Sequence, residues 1–240
     1  MAKTKKTKKS KGKKSVSQPR RWLRRWVLRA VLAFVGLIGF LILLYSVVNP
    51  PTTHTMWSEK HRLGDVDQEW VPLEDIAPVM ARSAVAAEDA RFCQHWGIDI
   101  RAVRAALDEG SQRGGSTISQ QVVKNVFLWQ ERSWLRKALE TLITPAVEAV
   151  WSKRRILEVY LNVAEMGEGI FGVEAASRHY FSVGPDQLNS RQAALLAALL
   201  PAPKSRSASD PSAAVQSRAV QIADGAATIR ADGRSKCFED

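Results

Sequence analysis

Three observations predict a mainly α-helical protein preceded by one N-terminal transmembrane helix. Residues 30–48 form an uncharged run of 19, AVLAFVGLIGFLILLYSVV. A block of positive charge lies on one side of that run only. From Pro78 onward, apolar residues recur at helical spacing in one segment after another, and few segments alternate with the period of two that marks a half-buried strand.

The elements follow in chain order. Residues 1–29 hold 13 of the 35 Lys and Arg and no acid, and their Lys- and Ser-rich first 19 are expected to be disordered. That leaves 22 basic against 24 acidic groups in the rest, so the formal charge of +11 belongs to the tail and the body is near neutral. With no basic stripe on the body, nucleic acid is not an expected partner. As a helix the uncharged run would be about 28 Å long, close to the hydrocarbon thickness of a bilayer. Trp22 and Trp26 precede it like interfacial anchors, and Asn49-Pro50-Pro51 is expected to stop it. The run is too long for a cleaved signal peptide, and no small-x-small cleavage pattern follows. The charge asymmetry puts the N-terminus in the cytoplasm and everything after residue 50 outside.

The plan is then a basic cytoplasmic tail at 1–29, a transmembrane helix at 30–49, a linker at 50–69, a domain at 70–225 and a disordered tail at 226–240. Residues 52–72 lack a strong period and read as the linker and a first strand. Residues 78–92 are Ala-rich and helical, with Pro78 in the first turn. A second helix covers 100–107, and the Gly- and Ser-rich EGSQRGGS that follows is expected to be a mobile loop. Thr117 and Gln120 have capping-box spacing and open a helix running to about residue 129. Residues 134–151 are helical again, with Pro145 expected to kink the helix near Thr141. Three further helices occupy 154–165, 173–181 and 191–200, the first two separated by the GEGIFG turn. Cys93 and Cys237 could pair in an oxidising compartment, but two cysteines do not make a disulfide framework.

Three local patterns carry chemistry. Glu88-Asp89 lies in an Ala-rich helix, where carboxylates are costly unless they face a cleft or a partner; an isolated pair is more often a solvated face. RGGSTISQQVVKN joins a Gly-rich loop to a helix N-terminus, a setting that presents free N–H groups to an anion. Ser116 and Thr117 add hydroxyls there, and Gln120 and Lys124 are four apart on one face; a capped surface helix is the plainer meaning. In RKALE, Arg136 and Glu140 are also four apart and would ordinarily be a surface ion pair.

Taken in order, EDARFCQHWGID, GGSTISQQVVKN, RKALETLITPAVE and KRRILEVYLNVAEMGEGIFGVEAASRHYF resemble the motifs of the bacterial peptidoglycan glycosyltransferases, glycosyltransferase family 51, over residues 70–205. Length and anchor resemble the monofunctional form rather than the bifunctional penicillin-binding proteins. The resemblance implies a lysozyme-like helical lobe and a smaller membrane-facing lobe at about 96–129. It implies polymerisation of lipid II into β-1,4-linked glycan by direct, inverting displacement of undecaprenyl pyrophosphate. Glu88 matches the family's general base, and Asp89 would tune or orient it. Glu140 matches the second glutamate, near the donor pyrophosphate, where the resemblance leaves room for a divalent cation, Mg or Mn. Lys124 and Arg136 match the cations that neutralise the leaving group. Ser116, Thr117, Gln120, Gln121 and Asn125 match polar residues of the cleft, and His95 a histidine that is structural rather than proton-transferring. The implied partners are lipid II, the growing lipid-linked strand, the bilayer and other wall-synthesis and division proteins.

The chain departs from the family pattern at two places. Ser182-Val183-Gly184 follows Tyr180-Phe181 where Gly-Lys is common, and Arg191-Gln192 stands where a glutamate usually precedes the Ala-Leu-Leu run. Transpeptidase motifs are missing, since the only S-x-x-K (Ser10 to Lys13) is in the basic tail, and neither H-E-x-x-H nor G-x-S-x-G occurs. Two other readings use the same residues: a membrane-anchored lytic enzyme with Glu88 as general acid, and a catalytically silent scaffold. Lys124 and Arg136 weigh against the first, because glycan cleavage has no pyrophosphate to bind.

Overall fold

Pro78 opens the helix that carries Glu88, and the chain around it is helical almost throughout. The computed structural model describes residues 18–108, 115–131 and 133–239. Most of the basic tail and the Gly- and Ser-rich loop at 109–114 lie outside the described residues.

Helix α1 (Gln18–Tyr45) contains the apolar stretch, and Trp22–Tyr45 is long and apolar enough to cross a membrane. It ends three residues short of the expected run, at Tyr45 rather than Val48. Side chains of the body take up the carbonyls there. The Trp151 indole donates to the Ile42 carbonyl (2.7 Å), and the Arg155 guanidinium to those of Tyr45 (3.1 Å) and Val48 (2.9 Å). Orphaned carbonyls at a helix end need such partners.

Residues 42–240 form one compact unit. The stretch expected to be linker instead contains helix α2 (His54–Leu63). Thr53 caps it by accepting from the Met56 N–H (3.2 Å), Lys60, His61 and Arg62 face its negative end, and Gly64 closes it at φ +92°. Strand β1 (Asp67–Gln68) then runs parallel to β3 (Ile170–Phe171), which pairs antiparallel with β2 (Glu165–Gly167). The GEGIFG turn therefore closes a small hairpin of β2 and β3, with β3 the central strand of a three-stranded sheet.

Helices α3 (Pro78–Glu88), α9 (Ser190–Leu199) and α10 (Ala213–Ala231) pack on one another. Helices α5 (Ile118–Phe127), α6 (Trp134–Val150) and α7 (Lys153–Val163) form the other group, with α5 in contact with both partners. Helix α8 (Gly172–Phe181) touches α7, α9 and the sheet, while α4 (Ile100–Asp108) follows the first site motif. Buried Asn162 ties α7 to the segment entering α3, exchanging hydrogen bonds of 2.8 Å with both the N–H and the carbonyl of Val71. Helix α6 is continuous through Pro145.

The end of the chain corrects the expectation of a disordered tail from residue 226. Helix α10 runs to Ala231 and buries Val215, Ala219, Ile222, Ala226 and Ile229. A final turn, α11 (Lys236–Glu239), buries Phe238, and Cys237 is disulfide-bonded to Cys93, 144 residues earlier. In the chain-entropy account, closing so long a loop stabilises the fold by about 5 kcal/mol.

Candidate active site

Helix α3 presents Met80, Ala81, Ala84 and Val85 to the core, and Glu88 lies one turn beyond Ala84 on the same stripe. Its carboxylate is therefore only half exposed. One oxygen accepts from the Gln121 amide (2.8 Å), and the Gln121 oxygen receives the hydroxyl of buried Tyr160 (3.4 Å). Burial raises the Glu88 pKa above the usual carboxylate range, opposed by the Gln121 hydrogen bond and the charges of Arg218 and Lys124, and reinforced by Asp89.

Helix α5 starts with the expected capping box. The Thr117 hydroxyl accepts from the Gln120 N–H (3.2 Å), and the Gln120 side chain accepts from the Thr117 N–H (3.1 Å). The Ile118 N–H goes to Asp89 Oδ2 (3.1 Å). Three N–H groups at this helix start are thus already used by the protein, so the expected cradle of free N–H donors is occupied at these positions. Positive charge near this helix start comes instead from side chains.

Helix α6 supplies most of them. Ser133 caps it, which sets Arg136, Lys137 and Glu140 on one face. Arg136 Nη1 donates to Glu140 Oε2 (2.7 Å) and its Nε to the Glu131 carbonyl (2.9 Å). Lys137 donates to Ser116 Oγ (3.0 Å) and pairs with the other Glu140 oxygen. Lys124, on α5, makes no salt bridge among the described residues, and burial lowers its pKa, with nearby Glu140 opposing.

These groups meet in one cavity of about 740 Å³. From α3, α5 and α6 it is lined by Glu88, Gln120, Gln121, Lys124, Arg136 and Glu140, with Ser116 and Lys137 beside them. The facing wall carries Arg206 and Arg218, from the segment after α9 and from α10. Five cations against two carboxylates make it a site for a multiply charged anion.

The other expected site residues do not line this cavity. Asp89, buried, and half-buried His95 bond to each other (Oδ1 to Nε2, 2.8 Å). Asp89 thereby joins the end of α3 to the start of α5. The Thr117 hydroxyl also donates to the Gly97 carbonyl (2.5 Å), and Asn125 accepts from Gln130 (3.0 Å), which reaches Thr55 at the start of α2 (2.8 Å). These four fasten the walls together. Lys137, Tyr160, Arg206 and Arg218 were not anticipated as site residues. Lys137 alone had a signal, three residues before Glu140 on the same helix.

The residues at Glu140 do not fit a resident divalent cation, because each carboxylate oxygen already has a cationic partner. Asp89, His95 and Asp99 offer ligand atoms within 4.8 Å of one another. There, however, Asp89 is engaged by His95 and Ile118, and Asp99 by a two-pronged pair with Arg91 (2.9 and 2.7 Å).

Comparison with known proteins agrees with this geometry. The family model described as Transglycosylase matches residues 56–227. The chain is 56% identical over 231 residues to the biosynthetic peptidoglycan transglycosylase of Jannaschia sp. (strain CCS1), covering 95% of this chain and 97% of that one. It is 46% identical over 229 residues to the protein of the same name from Rhodospirillum centenum, with 92% and 97% covered. For that of Salmonella arizonae the identity is 47% over 212 residues, with 83% and 88% covered. On the matched span, and on the cationic cleft with its buried glutamate, the chain belongs to the transglycosylase family, the peptidoglycan glycosyltransferases.

Proposed function

We propose that the chain polymerises lipid II into β-1,4-linked glycan, with Glu88 as general base and the Lys124, Arg136 and Lys137 group receiving the departing pyrophosphate. The observation that carries this reading is a half-buried carboxyl, raised by burial, in one cavity with those cations. A base must be basic enough to take the proton of a sugar hydroxyl as it attacks, and burial supplies that. Gln121, backed by Tyr160, fixes the carboxylate that receives the proton. Attack on C1 of the donor sugar inverts the centre and expels undecaprenyl pyrophosphate, whose growing charge the cations offset as the bond breaks. Glu140 holds Arg136 and Lys137 in place. Arg206 and Arg218 give the facing wall the charge to hold the pyrophosphate of the incoming lipid II. No step is assigned to a metal ion.

The substrate is a lipid, so the site belongs at a membrane surface. Helix α1 supports anchoring, and Trp96, Ile100, Trp134, Leu135 and Leu142 are large apolar residues left exposed near the site motifs. We further propose that the body is extracytoplasmic. The positive tail supports this, as does the disulfide, which belongs to an oxidising compartment.

The test is polymerisation of labelled lipid II by the detergent-solubilised chain beside Glu88→Gln. The expected result is polymer from the parent and a loss of about 10²–10⁴-fold in the variant. Polymer from both at equal rates would remove Glu88 from the chemistry. Shortening of preformed glycan would favour the lytic reading, and no product from a folded parent the scaffold reading.

A further inference from the structure

Glu88 is the last residue of α3, and the chain after it is irregular: Asp89 caps the helix, and only the short turn Phe92–Gln94 intervenes before His95. Gln121 holds the carboxylate itself and Asp89 is tied to His95 and Ile118, but the backbone from Ala87 to Cys93 has only short-turn hydrogen bonds of its own. The C-terminal part of the chain holds it on both sides. Arg218, from α10, donates to the Ala87 carbonyl (3.2 Å). Arg234 donates to the Ala90 carbonyl (2.8 Å) and is itself steadied by Asp232 (2.8 Å). Cys237 is bonded covalently to Cys93. Residues 87, 90 and 93 bracket Glu88 at three-residue intervals, and each is held from the last 25 residues.

The terminal turn is itself well seated. Phe238 is fully buried against Phe92, with ring centroids 6.4 Å apart. Glu239 pairs with Arg82 of α3 (2.6 Å), and Arg154 of α7 donates to the Phe238 carbonyl (3.3 Å).

We propose that residues 232–239, fastened by the Cys93–Cys237 disulfide, are a positioning element for Glu88, so that opening the disulfide lowers turnover without unfolding the protein. This rests on the reading of Glu88 as general base. A misplacement of about 1 Å in a reacting group is enough to cost up to about a hundredfold in rate. The effect falls on the chemical step rather than on lipid II binding, because the cationic wall of α5 and α6 is not among the contacts made by this segment.

The experiment compares the full-length protein oxidised, reduced with dithiothreitol, and as the Cys93→Ser/Cys237→Ser and Arg234→Ala variants. It measures kcat, KM for lipid II, the acid limb of the pH profile and helical circular dichroism at the assay temperature. The expected result is kcat lower by about tenfold, KM within about twofold, a displaced acid limb and unchanged helicity. A reduced protein with the same kcat and pH profile, and only a lower thermal midpoint, would make the disulfide a staple and overturn the proposal. Should loss of the disulfide unfold the chain, Arg234→Ala decides alone, since it keeps the bond; unchanged kcat there overturns the proposal. Glu88→Gln, run alongside, separates the two readings. If it stays active the base assignment fails whatever the disulfide does; if it is dead while kcat ignores reduction, only the positioning role fails.

Discussion

Glu88 and Lys124 work at opposite ends of the pH range, and burial moves them toward each other. As the proposed general base Glu88 must be ionised, and burial raises its pKa, so activity should rise with pH through a limb above the usual carboxylate range. In its proposed role toward pyrophosphate Lys124 must be charged, and burial lowers its pKa, so activity should fall with pH through a limb below the usual lysine range. Stability follows the opposite logic. A carboxyl raised in the fold contributes stability that is present below its unfolded pKa and lost as pH rises through its folded one. A lowered amine contributes stability present above its unfolded pKa and lost as pH falls through its folded one. Once ionised, Glu88 is held against the fold's preference, so on the alkaline side of the acid limb Glu88→Gln should raise the thermal midpoint while lowering polymerisation by about 10²–10⁴-fold. A lowered midpoint, read by calorimetry in that pH range, would contradict the burial account. Glu88, Gln121, Lys124 and Arg136 were legible because their motifs are local and ordered. Tyr160 was not, because it reaches Gln121 across 39 residues and spacing carries no such signal. Arg206 and Arg218 were hidden for the same reason: only the packing of α9 and α10 on α3 brings them to Glu88.

Both departures from the family pattern fall at helix caps. Ser182 ends α8 in the left-handed conformation (φ +56°, ψ +33°), the only non-glycine described residue with positive φ. Glycine adopts it without the Cβ clash, so Ser182→Gly should stabilise the protein by about 0.5–1 kcal/mol after its own chain-entropy cost. A shift of the urea midpoint to higher concentration, with unchanged polymerisation, is the expected outcome; a shift downward would mean the serine has a role in the fold that its conformation does not reveal. At the start of α9, Asn189 and Gln192 form a reciprocal capping box (3.0 Å each way), so Gln192 serves where the family's glutamate would. Helices α5, α6 and α7, with side-chain caps and apolar periods, were legible in outline, as was α3 from its Ala-rich run and Pro78 in the first turn. Helix α2 was not, because its apolar residues are sparse and its stability comes from Thr53, Gly64 and tertiary contacts. The C-terminal helix had a usable signal in the 4-3-4-3 spacing of Val215, Ala219, Ile222, Ala226 and Ile229, masked by alanines that also stand off this stripe. Small residues there suit close packing: a Cβ at Gly225 would come within 3.2 Å of the Ala86 methyl.

At the scale of the whole molecule, charge and covalent chemistry argue for one sidedness. The 13 basic residues of the first 29 face no acid, whereas the rest carries 22 basic and 24 acidic groups, so the positive-inside preference acts on the tail alone. Trp22–Tyr45 is long enough to separate tail from body by one bilayer. The body also holds a disulfide, which reducing cytoplasm would not sustain, and its burial of Phe238 depends on chain that the disulfide retains. A cytoplasmic body would face reduced Cys93 and Cys237 and, on the positioning argument, a loosened Glu88. Protease added to sealed spheroplasts should therefore cleave the body and spare an epitope at the N-terminus, which becomes accessible only after lysis. Thiol labelling before and after reduction, in the same preparation, should find Cys93 and Cys237 blocked. An N-terminal epitope lost from intact spheroplasts, or cysteines freely labelled without reductant, would reverse the orientation. Either result would also remove the compartment on which the disulfide depends, so orientation, covalent closure and the setting of the base stand or fall together.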